Sequence, residues 1–119
     1  MKSSFKVESK YLEVICEGEW LPEHVTDMLM STRLKAMETS RDRILLKWAQ
    51  VSAPHAEFDR YLAGKDIATL CPPPLRVGVH YPAEMINKFA EDTAVNRGAG
   101  FFVCGDRAEV LAWLLDGDA

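Results

Sequence analysis

Long hydrophobic runs are missing from this sequence. Met1 is followed closely by Lys2, Ser3, Ser4 and Lys6, so no apolar stretch forms at the start of the chain. Neither a signal peptide nor a membrane span is therefore expected.

Cysteine is scarce. Cys16, Cys71 and Cys104 are odd in number and lack the C-x-x-C spacing of a zinc or redox motif. This pattern predicts reduced thiols in a cytoplasmic protein, packed as small hydrophobic side chains. His55, His80 and Cys104 are the remaining candidate metal ligands, and their wide spacing offers no close ligand pair, so neither a metal nor a cofactor is predicted.

A basic cluster is also missing. The 14 basic and 18 acidic residues are interspersed and give a net charge of -4. No basic stripe is available to neutralise phosphates, which argues against nucleic acid and membrane surfaces as partners.

The chain is rich in apolar residues. Its 119 residues are 48% hydrophobic, enough to build a real core. The sequence has no internal repeat, low-complexity tract or linker. The segments before and after the proline run from Cys71 to Pro74 are each too short to bury a core, so we interpret this run as a loop within one domain. We expect a single domain over residues 1–119.

Strand-like and helix-like patterns alternate along the chain. The expected elements are a hairpin of Phe5–Glu8 and Tyr11–Glu17, a helix from Pro22, a strand Arg43–Ala49, a helix carrying Phe58, Tyr61 and Leu62, a strand Leu75–His80, a helix from Pro82, a strand Phe101–Cys104, and a closing helix. The order is ββαβαβαβα.

Periodicity and end signals add detail to the helices. The residues expected to face inward are Val25, Met28, Leu29, Thr32 and Ala36 in the first helix, and Met85, Ile86, Phe89, Ala90 and Ala94 in the third. Gly98 suits a left-handed helix end, and Asp106 to Glu109 form a capping-box pattern.

This order predicts an α/β fold with a single mixed, mostly parallel sheet and helices packed on it. Ligands of such sheets bind beyond the carboxyl ends of the parallel strands. The chemically capable residues expected at that edge are Trp48, Ser52, His55, His80, Tyr81 and Cys104. Helix N-termini at the same edge would favour an anion.

Ser52 has two possible roles when its neighbours alone are considered. It precedes Pro54 and an amphipathic pattern, so its hydroxyl is expected to cap the second helix. A nucleophilic pair with His55 is the alternative, but a G-x-S-x-G elbow and an obvious acidic partner are lacking.

Several strings together resemble STAS-domain-like proteins, the family related to anti-sigma-factor antagonists. They are YLEVICEGEW, RILLKWAQVS, EFDRYLA, LRVGVHYPAEMI, FAEDTAVNRG and FFVCGDRAEVLAWL, the last ending in D-x-x-E-x-x-x-W-L. The resemblance spans nearly the entire chain and is closest to small stand-alone bacterial members. It implies a STAS-like fold and a regulatory module that binds a protein partner around Ser52, with Ser52 as the possible phosphorylation site.

Two other function classes stay open. One is a small-molecule binding module for an anionic or apolar ligand at the same edge, which a pocket of roughly 300 Å³ or more with convergent polar groups would support. A flat, exposed apolar surface would instead support protein partners. The other is an enzyme using Ser52 or Cys104, which requires a depressed nucleophile pKa and a base within reach. A homodimer through a strand edge or helix face is also possible.

Overall fold

Five strands form one sheet in the order β1-β2-β3-β4-β5 in the computed structural model, which describes residues 1–116. The elements are β1 (Lys2–Val7), β2 (Leu12–Gly18), α1 (Pro22–Glu38), β3 (Arg43–Val51), α2 (Phe58–Leu70), β4 (Arg76–His80), a short 3-10 turn (Ala83–Met85), α3 (Phe89–Asn96), β5 (Gly100–Cys104) and α4 (Arg107–Leu114). The predicted α/β class and the order ββαβαβαβα are confirmed.

Strand direction follows from the connections. β1 and β2 are antiparallel neighbours joined by a short link, whereas β2, β3, β4 and β5 pair in parallel through helical crossovers. The sheet is therefore mixed and mostly parallel, as the sequence predicts. The carboxyl ends of the four parallel strands share one edge of the sheet.

The helices divide between the two faces of the sheet. Ile44, Leu46 and Trp48 of β3 belong to the main core with residues of α1, α2 and α3. Leu45 points the other way and packs with Val110 and Leu114 of α4. Successive side chains of β3 therefore pack against helices on opposite faces of the sheet.

The first helix forms as predicted. Pro22 stands in its first turn, where a missing N–H costs no hydrogen bond. Its buried residues are Val25, Met28, Leu29, Thr32 and Ala36, the complete predicted stripe.

Two predicted helix-end features are also present. Gly98 has φ of +91°, the left-handed conformation that glycine adopts without strain. Asp106 caps α4, since its Oδ1 accepts from the Ala108 N–H at 2.9 Å. Glu109 does not complete the capping box, because its carboxylate accepts from Cys104 Sγ instead.

The prediction that the third helix begins at Pro82 is wrong. A 3-10 turn forms at Ala83–Met85, and α3 begins only at Phe89. The break lies at Lys88, which is left-handed with φ of +69°, after Asn87 accepts from the Phe89 N–H at 3.0 Å. As a result Phe89 is 42% exposed rather than inward-facing.

The second helix packs on the core through residues other than Phe58, Tyr61 and Leu62. α2 buries Gly64 and Ile67, whereas Phe58 is 61% exposed at the helix start. Tyr61 and Leu62 are half-buried.

A register shift marks the carboxyl half of β3. Ile15 pairs with Lys47 but Glu17 pairs with Gln50, so β3 carries one extra residue there. Trp48 and Val51, three residues apart, are consequently both buried in the main core.

None of the helices in residues 1–116 has the length and apolar character that a bilayer crossing requires.

Candidate functional site

A half-open cleft lies between the main face of the sheet and helices α1, α2 and α3. Its walls include the aromatic residues Trp20, Trp48 and Tyr81, the aliphatic residues Met28, Leu46, Ile67 and Val79, and the polar residues Arg60, Asn87, Lys88 and Glu91. The cavity volume of the cleft is about 60 Å³, and the space between its walls is about 560 Å³ when the open solvent at the mouth is included. The lining is almost entirely apolar, as small-molecule sites in proteins are.

Three aromatic rings form one wall of this cleft. The Trp20 and Trp48 ring centroids are 5.6 Å apart with the rings nearly perpendicular, and Trp20 and Tyr81 centroids are 6.3 Å apart. Edge-to-face pairs of this kind add to the energy of burial. The three rings therefore pack against one another in this wall.

The hydroxyl of Tyr81 is fixed by the chain that leaves β3. It donates toward the Val51 carbonyl at 3.2 Å and the Ser52 carbonyl at 3.3 Å. Burial raises the pKa of Tyr81, and the nearby Arg60 charge partly offsets that increase. Tyr81 stays neutral and serves to hold the β3 end in place.

Trp20 carries an unsatisfied donor. Its side chain is 96% buried, and within residues 1–116 its Nε1–H has no hydrogen-bond partner. A buried donor left unpaired costs about 1–3 kcal/mol, and most such groups in proteins are satisfied. This donor belongs to a residue that lines the cleft.

Charged side chains line the mouth of the cleft. The Arg60 side chain is only 11% exposed, and its guanidinium lies over the Trp20 ring, with Cζ 5.4 Å from the centroid. Its Nε donates to Glu57 at 3.1 Å. On the opposite side Lys88 pairs with Glu91 at 3.2 Å, and Glu91 also accepts from the Val103 N–H at 2.7 Å.

Ser52 is not the cap of the second helix, which corrects the sequence-based expectation. α2 begins at Phe58, six residues further on, with Glu57 at its N-cap position. The Ser52 backbone N–H instead donates to the Gly18 carbonyl at 3.0 Å. The Ser52 Oγ accepts from the backbone N–H of Trp20 at 3.4 Å. The exposed Ser52 therefore connects the end of β3 by a hydrogen bond to Trp20, which forms part of the cleft wall.

His55 does not contact Ser52. Its Nε2 lies 2.6 Å from Glu19 Oε2, and both side chains are mostly exposed. Glu19 is a partner that the sequence does not reveal, because it lies 36 residues away along the chain. A nucleophile–base pair of Ser52 and His55 has no support from this geometry.

His80 and Cys104 lie at the same edge but on the other face of the sheet. They are register partners in β4 and β5, and they alternate with Val79 and Val103, which face the main core. His80 Nε2 is 3.2 Å from the Gly105 carbonyl. They therefore do not line the cleft.

The Cys104 thiol lacks the environment of a nucleophile. The Asp106 N–H that points at Sγ lowers its pKa, but partial burial and the hydrogen bond and charge of Glu109 raise it, and the net pKa is raised. An enzyme using Cys104 requires the opposite shift. Cys16 and Cys71 are buried, as expected, whereas Cys104 is half-buried.

The structure thus divides the six candidate residues. Trp48 and Tyr81 line the cleft, Ser52 and His55 lie beside it on the chain that leaves β3, and His80 with Cys104 lie behind the sheet. Trp20, Arg60 and Lys88 are cleft residues that the sequence analysis missed. No local pattern marks them, because the cleft is assembled from segments far apart in the chain.

No group of three or more His, Cys, Asp or Glu side chains within the described part of the chain is placed so that it could hold a metal ion. In the comparisons with known proteins, no family model and no curated protein matches this sequence. The resemblance to STAS-domain-like proteins stays a prediction.

Proposed function

We propose that this protein is a non-catalytic binding module that holds a small, largely apolar molecule in the cleft beside β3 and β4. The observation that carries the proposal is the buried Trp20 Nε1–H, which belongs to a residue lining the cleft and finds no acceptor among residues 1–116. An acceptor atom on a bound molecule would satisfy that donor and recover the cost of leaving it unpaired.

The dimensions of the cleft support a narrow ligand. Its cavity volume, about 60 Å³, is smaller than the about 300–1,000 Å³ that is usual for sites of drug-sized molecules, so it suits a short chain or a single ring. A nucleotide is consequently a poor match for the cleft.

The proposal includes a STAS-like regulatory role in a bacterial cytoplasm, in which ligand occupancy would be communicated to a partner. The family resemblance and the unpaired-thiol pattern of Cys16, Cys71 and Cys104 support this part. Ser52 is exposed, so its phosphorylation stays within the proposal, although the residue does not begin a helix. A mass increase of one phosphate on protein isolated under phosphatase inhibition, lost in Ser52→Ala, would support that modification.

The ligand is tested by what the protein carries when it is isolated. Protein purified under non-denaturing conditions is extracted with organic solvent, and the extract is analysed by mass spectrometry. Ala63→Trp would fill the cleft, since Ala63 lines it, whereas Ala112→Trp adds the same bulk at an exposed position of α4. We expect a small molecule from the wild type and Ala112→Trp, and its loss from Ala63→Trp. Identical extracts from all three proteins would refute the proposal.

A protein-interaction module is the second candidate, favoured by an exposed aromatic cluster beside the cleft. Phe58 stacks on Tyr61 with centroids 5.4 Å apart, and Phe89 lies 6.4 Å from Tyr61. Phe58 and Phe89 are 61% and 42% exposed. Exposed clusters of this kind are common at protein interfaces.

A photo-crosslinking residue at position 58 tests the second candidate. Position 34 on α1 is the matched control, since Leu34 is 65% exposed and Phe58 is 61% exposed. Capture of one protein from position 58 and not from position 34 is expected if this surface binds a partner. Equal capture from both positions would contradict it.

A further inference from the structure

Resting on the proposed function, we infer that the ligand of the cleft is an apolar monocarboxylate. Its carboxylate would accept from the Arg60 guanidinium, and its hydrocarbon part would occupy the apolar interior of the cleft. The position of the Arg60 guanidinium at an apolar cavity carries the inference.

The Arg60 guanidinium has hydrogen-bond donors that are not used within the described residues. Its Nε is bonded to Glu57, and among residues 1–116 its two terminal nitrogens have no hydrogen-bond acceptor, although the side chain is only 11% exposed. A guanidinium presents a planar fork that matches the two oxygens of a carboxylate. A guanidinium with unused donors at the cleft favours an anionic group there.

Arg60 and Trp20 belong to one site. Arg60 lies over the ring of Trp20, and both residues line the cleft. Around them the lining is aliphatic and aromatic, with Met28, Ile67 and Trp48. The arrangement suits a molecule with one polar end.

The other charges at the mouth favour a single negative charge on the ligand. Glu57 is already bonded to Arg60, and Glu91 is bonded to Lys88 and to the backbone of Val103. The two cations thus face two resident carboxylates. A dianionic phosphate would meet more repulsion here than a carboxylate would.

The test compares three six-carbon probes that differ only at the polar end, namely hexanoate, hexanamide and hexan-1-ol. Binding is followed by the fluorescence of Trp20 and Trp48 in the cleft wall and confirmed by calorimetry. We expect hexanoate to bind at least roughly tenfold more tightly than either neutral probe, because a charge-assisted hydrogen bond is about twice as strong as a neutral one.

Two variants assign the effect to Arg60. Arg60→Met keeps an apolar stem and should remove the preference for hexanoate while leaving the binding of hexan-1-ol within about twofold. Glu57→Gln releases the guanidinium from its exposed partner and should tighten hexanoate binding. Glu84→Gln, an exposed position outside the cleft, removes the same charge and should have no effect.

The outcomes separate this inference from the proposed function. Equal binding of all three probes would overturn the carboxylate assignment and leave an apolar binding module. Unchanged hexanoate binding in both Arg60→Met and Glu57→Gln would overturn the assignment as well. Absence of binding by every probe would also overturn it, and the solvent extract of the purified protein would then decide whether the cleft has another ligand.

Discussion

The guanidinium of Arg60 lies 5.4 Å from the centroid of the Trp20 indole, so the first turn of α2 contacts the segment between β2 and α1. Ser52, at the end of β3, holds the backbone of the same tryptophan through its Oγ. Trp20 therefore joins three segments that are far apart in the chain. Its ring forms part of the cleft wall, and its Nε1–H is a buried donor that has no partner within residues 1–116.

Replacing Trp20 by phenylalanine is expected to change stability little. The smaller ring loses some packing, but removal of the unpaired Nε1–H recovers about 1–3 kcal/mol, so the net change in unfolding free energy should stay within about 1 kcal/mol. Trp20→Ala, which removes the whole ring, should cost about 3–5 kcal/mol. Urea unfolding of ligand-free protein measures both. A loss in Trp20→Phe as large as that in Trp20→Ala would contradict the unpaired state of this donor.

The sequence predicts α1 and the sheet well because their patterns are local and uninterrupted. The stripe from Val25 to Ala36 repeats at helical spacing over the length of α1, and the parallel order follows from alternating strands and helices. The α3 region fails for the opposite reason. The predicted helix is interrupted at Lys88, a non-glycine residue in the left-handed region. Lysine is not a residue type that indicates a left-handed turn, so the sequence does not reveal the interruption.

The site is predictable only in part for a different reason. The rule for parallel sheets correctly indicates the edge where Trp48 and Tyr81 lie, since it depends on strand direction alone. It does not say which face of the sheet carries the cleft. His80 and Cys104 consequently satisfy the rule and still lie behind the sheet. The contacts of Trp20 with Arg60 and Ser52 depend on how the helices dock, which no local pattern encodes.

Gly64 is expected to control the distance between α2 and α3. A Cβ added there would collide with the Ala90 carbonyl oxygen and would lie 2.8 Å from Thr93 Cβ, and a backbone atom cannot move aside cheaply. Gly64→Ala should therefore destabilise the protein by about 2–3 kcal/mol. It should also alter the cleft, because Ala90 lines it.

Gly78 provides the matched control. A Cβ there would meet the Val110 Cγ1 atom of α4 at 2.6 Å, which is the end of a side chain on the face away from the cleft. Gly78→Ala should cost less than Gly64→Ala and leave tryptophan fluorescence responses to hexanoate unchanged. Thermal unfolding and the same titration measure both effects. Equal losses in the two variants would contradict the backbone clash at Gly64.

Glu13 is a buried carboxylate that depends on Arg107. The Glu13 side chain is 7% exposed, and its Oε1 lies 2.9 Å from Arg107 Nη2. Arg107→Met should lower the unfolding free energy by about 1–2 kcal/mol, because it leaves a buried charge unpaired. This figure is below that of a fully buried pair, since the Arg107 side chain is 43% exposed and solvent screens it.

A double-mutant cycle isolates the Glu13–Arg107 pair. In a Glu13→Leu background the carboxylate is gone, so Arg107→Met should then cost little. Unfolding by urea at neutral pH provides the four free energies. If Arg107→Met costs the same in both backgrounds, the pair contributes nothing and the loss comes from packing of the arginine stem.

Two buried thiols should make stability fall at alkaline pH. Burial raises the pKa of Cys16 to about 12 and that of Cys71 to about 11, from 9.0 in an exposed thiol. The unfolded chain loses these protons above pH 9 while the folded protein retains them. Their stabilising contribution is therefore complete below pH 9 and is lost as the pH rises toward 11 and 12, by roughly 1.4 kcal/mol per pH unit for each thiol.

The alkaline slope is measured by urea unfolding between pH 8 and pH 10.5. Cys16→Ala and Cys71→Ala should each flatten the slope above pH 9, whereas Cys104→Ala, at a half-buried position, should flatten it less. A thiol reagent at pH 8 should label Cys104 first and reach the other two only on unfolding, because thiolate is the reactive form and both remaining thiols are protonated and buried. An unchanged slope in the Cys16 and Cys71 variants, or fast labelling of all three thiols, would show that the core admits water.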